Sequence, residues 1–164
     1  MKKSIVLILL GLTFSVSSIH AQTLKTFVLV RHAEKATDDP KDPSLTAEGD
    51  QRAMDLMEMF KLEEVEAIYS TPFKRTINTV KPLADLQQVE VKEYNPFDKG
   101  FLGWVVENSS GTVFISGHSN TIPFMVNELI GEDRFEQLDD SEYNKIFVVT
   151  LTQLGNGKVM VLNY

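Results

Sequence analysis

The stretch that decides the fold is Leu24-Lys25-Thr26-Phe27-Val28-Leu29-Val30, followed at once by Arg31-His32-Ala33-Glu34-Lys35. Leu24 to Val30 has the length of a strand, and its apolar residues are consecutive rather than alternate. Continuous hydrophobicity of this kind belongs to a strand covered on both faces, as in a sheet with helices above and below. The run stops abruptly at Arg31-His32, so a cation and an imidazole stand just past a strand's carboxyl end. In open α/β sheets that edge is where ligands collect.

The rest of the chain reads as further turns of the same alternation. Thr46 is an N-cap for a helix from Ala47 to about Lys61, with Ala53, Leu56, Met57 and Phe60 at helical spacing. Val65 to Tyr69 is a second strand, and Thr71-Pro72 supplies an N-cap and first-turn proline for a helix beginning near Phe73. Pro82 is expected to kink or break that helix. Val89 to Tyr94 reads as a short strand, Gly111 to Ser116 as a strongly apolar one, and Thr121 to Ile130 as a helix ending at Gly131. Lys145 to Leu151 and Lys158 to Leu162, joined through Gly155-Asn156-Gly157, form a hairpin candidate. Lys35 to Ser44, Tyr94 to Leu102 and the acidic run Glu132 to Glu142 read as loops. The prediction is one α/β domain over residues 22–164, with three α/β/α layers and a mostly parallel sheet.

Residues 1–21 are set apart from that domain. Met1-Lys2-Lys3 is basic, Ile5 to Leu12 is apolar, and a small and polar stretch leads to Ala21, the order of a cleavable signal peptide. The apolar run is too short to span a bilayer comfortably. The expected location is periplasmic or secreted, without a stable membrane anchor. The 164 residues carry a formal net charge of −7, three histidines and no cysteine. Disulfides, thiolate metal sites, cysteine nucleophiles and a lipidated cysteine are thereby excluded. The acidic balance argues against nucleic acid as a partner. Removing the leader leaves His32 and His118 as the only histidines.

Both fall at strand ends. Arg31-His32 follows the first strand, Ser70-Thr71-Pro72-Phe73-Lys74-Arg75-Thr76 the second, and Gly117-His118-Ser119-Asn120-Thr121 the strand at Gly111 to Ser116. If these strands are neighbours, Arg31, His32, Arg75 and His118 converge. Two guanidinium groups can grip a phosphate, leaving one imidazole to attack phosphorus and the other to stabilise its charged oxygens.

At these residues the chain resembles the histidine phosphatase superfamily, which includes phosphoglycerate mutases and small bacterial phosphohistidine phosphatases. The resemblance runs from Phe27 to about Leu151. It rests on Arg31-His32-Ala33-Glu34, Leu45-Thr46-Ala47-Glu48-Gly49 with Arg52, Tyr69 to Thr76, and Gly117 to Thr121. Many members have glycine where Ala33 stands. The resemblance implies a phosphoglycerate mutase-like fold and a metal-independent phosphatase of the histidine acid phosphatase type, with no cofactor. His32 would be the nucleophile, transiently phosphorylated, and Arg31, Arg75 and His118 would complete the phosphate pocket. Ser119 and Asn120 would bind the same phosphate, and the helix starting near Asn120 would aim its free backbone N–H groups at it.

An alkyl phosphate also needs a proton donor for its leaving oxygen, and Glu93 and Asp98, flanking Tyr94-Asn95-Pro96-Phe97, are the candidates. Without such an acid, phosphohistidine or phenolic phosphates would be better substrates than sugar phosphates. The expected partner is a small phosphorylated substrate or a phosphoprotein. Two other functions are carried forward: a non-catalytic phosphate-binding module, and a phosphoglycerate-type mutase, disfavoured because the chain lacks room for the insertions that close over a bisphosphorylated intermediate. Arg52 is read as structural, paired with a carboxylate. Oligomeric state and physiological substrate are not encoded in any of these motifs.

Overall fold

A computed structural model describes residues 23–164, so the leader expected over 1–21 lies outside the described residues. Six strands form one sheet: β1 (Lys25–Arg31), β2 (Val65–Ser70), β3 (Val91–Glu93), β4 (Thr112–Gly117), β5 (Lys145–Leu151) and β6 (Lys158–Asn163). Their order across the sheet is β3-β2-β4-β1-β5-β6. The first four run parallel, whereas β5 and β6 extend the sheet as an antiparallel hairpin, as the glycine-flanked turn predicts.

The continuous hydrophobicity of β1 is explained by its two neighbours above and below. Val28 and Val30 pack on one face with Leu56 of α1 (Ala47–Phe60) and Val80 and Leu83 of α2 (Lys74–Gln87). Phe27 and Leu29 pack on the other face with Leu102 and Val105 of α3 (Phe101–Asn108) and Val126 and Leu129 of α4 (Ile122–Ile130). All four β1 side chains are fully buried, as a three-layer α/β/α domain requires. Chain connections leave β1 toward one helical layer and β4 toward the other. The gap between these adjacent strands is therefore a topological switch point, where a crevice opens at the carboxyl edge.

Three local features depart from the sequence prediction. First, α3 begins at Phe101, in the last two residues of the segment read as a loop, and continues through residues given no element in the sequence reading. It has only eight residues, with Gly103 inside and Val105-Val106 consecutive, so no amphipathic period was available to announce it. Second, α2 runs unbroken through Pro82. The carbonyl that the proline leaves without a donor belongs to Asn78, an exposed residue, and can take water instead. Third, α2 is not capped by Thr71: its N-cap is Phe73, and the Lys74 N–H donates to Asp42 Oδ1 at 2.9 Å, from the distant Lys35 to Ser44 loop.

Helix α1 follows the prediction more closely. Thr46 is its N-cap and accepts from the Gly49 N–H at 3.1 Å. Gly49 itself lies against the strand-end loop, and a Cβ there would sit 2.5 Å from the Glu34 carbonyl oxygen. Alanine is the better helix former by about 1 kcal/mol. Gly49→Ala is nevertheless expected to lower stability by about 1–3 kcal/mol in urea unfolding, because backbone must move to admit the methyl group. A gain in stability would contradict this packing.

Candidate active site

The parallel ladder brings the distant motifs together one residue beyond each strand. Arg31 is level with Gly117, and Ser70 is level with Ser116. The His32 N–H then donates to Gly117 O at 2.9 Å, and the Thr71 N–H donates to Ser116 O at 3.4 Å. His32, Thr71 and His118 thus step off three adjacent strands. The two imidazole centroids are 5.6 Å apart. Arg31, His32, Arg75, His118, Ser119 and Asn120 line one cleft of about 350 Å³.

The cleft is built to receive negative charge. Arg31 is almost completely buried, and its Nη1 donates to the carbonyl oxygens of Asp139 at 2.7 Å and Glu142 at 3.1 Å. Its guanidinium lies 4.1 Å from the Tyr143 ring centroid. Arg75 lies 4.5 Å from the Phe73 ring centroid, with Nη1 3.9 Å from Asp42 Oδ1. The buried Nε atoms of both arginines have no hydrogen-bond partner among the described residues. Two guanidinium groups lining one cleft offer charged donors that suit a tetrahedral oxyanion.

The same surroundings keep the histidines neutral. Burial, only partly offset by the bond to Ala33, and then Arg31, Arg75 and His118 push His32 down to about 3. Burial, followed by Arg75, Arg31 and Lys35, pushes His118 down to about 4. His32 Nδ1 is 2.8 Å from Ala33 O, an acceptor only, so the ring proton of a neutral imidazole sits on Nδ1 and Nε2 keeps its lone pair. His118 Nε2 is 3.0 Å from Thr71 Oγ1, and Thr71 Oγ1 is 2.9 Å from Thr76 Oγ1. The hydroxyl expected to cap a helix orients an imidazole instead.

The start of α4 also differs from expectation. The Thr121 and Ile122 N–H groups both donate to His118 O at 3.1 Å, and Pro123 has none to give. The turn residues Ser119 and Asn120, rather than the helix itself, are left to offer N–H groups to the cleft.

Neither carboxylate predicted as a proton donor lines this cleft. Glu93 ends β3, at the sheet edge and three strands from β1, which puts it about 14 Å away along the sheet. It borders an adjoining hollow with Phe73 and Phe97. Asp98 Oδ1 accepts from the Gly100 N–H at 2.9 Å, shaping the turn before α3. The carboxylate that does line the cleft is Asp140, fully exposed and 3.8 Å from Arg31 Nη2. Asp140, Tyr143 and Asp42 lie in polar loops without periodicity, and no sequence signal picked them out. Thr71 and Phe73 stood inside a quoted motif, Thr71 as a helix cap, but neither was given a role in the site. Arg52 is structural as expected: its Nε and Nη2 bind Glu34, and its Nη1 donates to Tyr164 O at 2.6 Å. Burial would raise the Glu34 pKa, but the Arg52 hydrogen bonds outweigh it and hold the carboxyl below its ordinary value.

Residues 27–99 match the family described as the histidine phosphatase superfamily (branch 1). The match spans less than half of the chain, and the described fold agrees with it. The protein histidine phosphatase SixA complexed with tungstate has a TM-score of 0.68 and 19% identity, over 84% of this chain and 96% of that one. A phosphohistidine phosphatase SixA described from Nakamurella multipartitia gives 0.60 and 18%, over 85% and 96%. Phosphoserine phosphatase from Entamoeba histolytica, in complex with 3-phosphoglyceric acid, gives 0.65 and 16%, over 85% and 97%. At these identities the structural likeness concerns the fold. No curated protein matches the sequence. Among the described residues, no three His, Cys, Asp or Glu side chains are grouped to hold a metal ion.

The depressed histidines set a pH dependence of stability. Between about pH 6.5 and pH 4 the unfolded chain binds protons at His32 and His118 while the folded chain does not, so stability falls as pH drops through that window. The ligand-free urea midpoint is expected to decline from pH 7 to pH 4.5, with a shallower decline in His118→Asn. A flat midpoint in the parent protein would contradict the burial of neutral imidazoles.

Proposed function

We propose that the protein is a metal-independent phosphatase that hydrolyses phosphomonoesters or phosphohistidine through a phosphorylated His32. The observation that carries this reading is the placing of an unprotonated His32 Nε2 and two guanidinium groups in one cleft. In the first step the Nε2 lone pair forms the N–P bond while the bond from phosphorus to the leaving atom breaks. Positive charge then develops on the imidazole, and the Nδ1–H bond to Ala33 O strengthens as it does so. Arg31, Arg75 and His118, with the N–H groups of Ser119 and Asn120, hold the equatorial oxygens. In the second step water attacks phosphorus, the N–P bond breaks, and inorganic phosphate leaves as His32 regains its lone pair.

A bound phosphate dianion opposes the arginine charges that depress His118. Protonation of His118 therefore becomes easier with substrate in place, giving a cation where charge accumulates. The family match and the phosphatases among the structural neighbours support hydrolysis as the reaction class. Export is part of the same reading, supported by the basic, apolar and small-residue order of residues 1–21.

With an aryl phosphate in excess chelator, His32→Ala is expected to lower kcat/KM by about 10³-fold or more. Corrected for substrate ionisation, the parent kcat/KM should not fall between pH 7 and pH 5, because free His32 stays neutral down to about 3. Undiminished activity in His32→Ala would overturn the mechanism. Saturable phosphate binding without turnover of any substrate would make the protein a binding module. For export, N-terminal sequencing of the protein recovered from the periplasm or medium should begin at Gln22, and a retained Met1 would contradict it.

A further inference from the structure

Beside the phosphate cleft lies a second hollow of about 470 Å³, walled mainly by Pro72, Phe73, Pro96 and Phe97. Phe73, Pro96 and Phe97 line both spaces, so a molecule whose phosphate sits between the arginines can extend directly into the hollow. The Phe97 side chain is 79% exposed, although it borders an apolar surface that would profit from cover. The backbone that carries it is fixed in advance. The Phe97 N–H donates to Asn95 Oδ1 at 3.0 Å, and the Asp98 N–H donates to Asn95 O at 3.1 Å. Beneath this turn, Tyr94 is buried and stacked on Phe101 with centroids 4.4 Å apart. An aromatic ring presented to solvent on a pre-formed turn loses little entropy when a ligand covers it.

We propose that this hollow is the leaving-group subsite and that it selects aryl phosphates, in which phosphate is carried on an aromatic ring. The inference rests on the phosphatase reading for its chemistry and adds the class of substrate. Two observations converge on it. The shared walls are phenyl faces and proline, which suit a ring and offer no hydrogen bonds to a polyol. The leaving oxygen must stay within a bond length of phosphorus, and Phe73, Pro96 and Phe97 carry no proton to give it there. With no proton donor on these shared walls, the subsite suits a P–O bond that breaks with its electron pair on an oxygen stable as an anion. A phenolate is such a group, and water protonates it after release. Glu93, the one charged residue of the hollow, further disfavours leaving groups that bear a carboxylate.

Phosphonates test the subsite without turnover. Calorimetry on the parent protein and on His32→Ala should show phenylphosphonate binding about tenfold or more tighter than methylphosphonate. In Phe97→Ala, which removes an exposed side chain, the preference should shrink to within about twofold. Equal affinity for the two phosphonates, or a preference untouched by Phe97→Ala, would overturn the proposal. With turnover, Phe97→Ala should lower kcat/KM for phenyl phosphate about tenfold more than for acetyl phosphate, a labile substrate without a ring. Equal losses on both substrates would also overturn it. Comparing phenyl phosphate with a phosphotyrosine peptide separates small-molecule from protein-borne aryl phosphate, either of which fits the subsite. A phenylphosphonate preference with no hydrolysis of either ester would refute the phosphatase reading and leave the subsite standing.

Discussion

The in-register parallel pairing of β1 with β4 is the constraint on which the rest of this molecule depends. It sets Arg31 level with Gly117, and the His32 N–H extends the ladder by one bond to Gly117 O. Slipping β1 by one residue would shift His32 by about 3.3 Å and turn its side chain to the opposite face. β2 repeats the arrangement on the other side of β4 and delivers Thr71 to His118. A pocket made from residues far apart in sequence is thus fixed by backbone hydrogen bonds in the most buried part of the sheet. The helices matter to it chiefly because they cover both faces and leave the carboxyl edge open.

That edge is electrostatically expensive. Arg31 is buried, both arginine Nε atoms lack hydrogen-bond partners among the described residues, and the imidazoles are driven neutral by burial and by the guanidinium charges. Stabilisation is supplied nearby, where Glu34, two residues beyond His32, is clamped by Arg52 from α1. The His32 loop is therefore held by an ion pair on one side and by the Ala33 and Gly117 carbonyls on the other. An anion entering the cleft meets two guanidinium charges at once, which offsets the electrostatic cost of gathering them at this edge.

Much of this was legible in sequence because it depended on local rules. The continuous apolar run Phe27 to Val30, the cap at Thr46, the glycine stop at Gly131 and the turn Gly155 to Gly157 each have one dominant physical meaning, and each was found where expected. The convergence of Arg31, His32, Arg75 and His118 followed once strand neighbours were assumed. What could not be read depended on contacts across the fold. Thr71 looks like a cap until His118 and Thr76 compete for its hydroxyl, and Asp42 then caps α2 from a separate loop. Glu93 and Asp98 looked equivalent by position after a strand, yet strand order alone puts β3 at the far edge of the sheet. Asp140 and Tyr143 reach Arg31 through an irregular loop whose path no periodicity encodes.

The central claim is that His32 Nε2 becomes covalently bonded to phosphorus during turnover. Rapid quenching with a phosphorus-labelled aryl phosphate, followed by alkaline proteolysis and mass spectrometry, measures this directly. The account requires an acid-labile, alkali-stable phosphoryl group on the peptide containing His32, formed and discharged within the turnover time. Turnover with no such adduct, or with the label on any other residue, would contradict it.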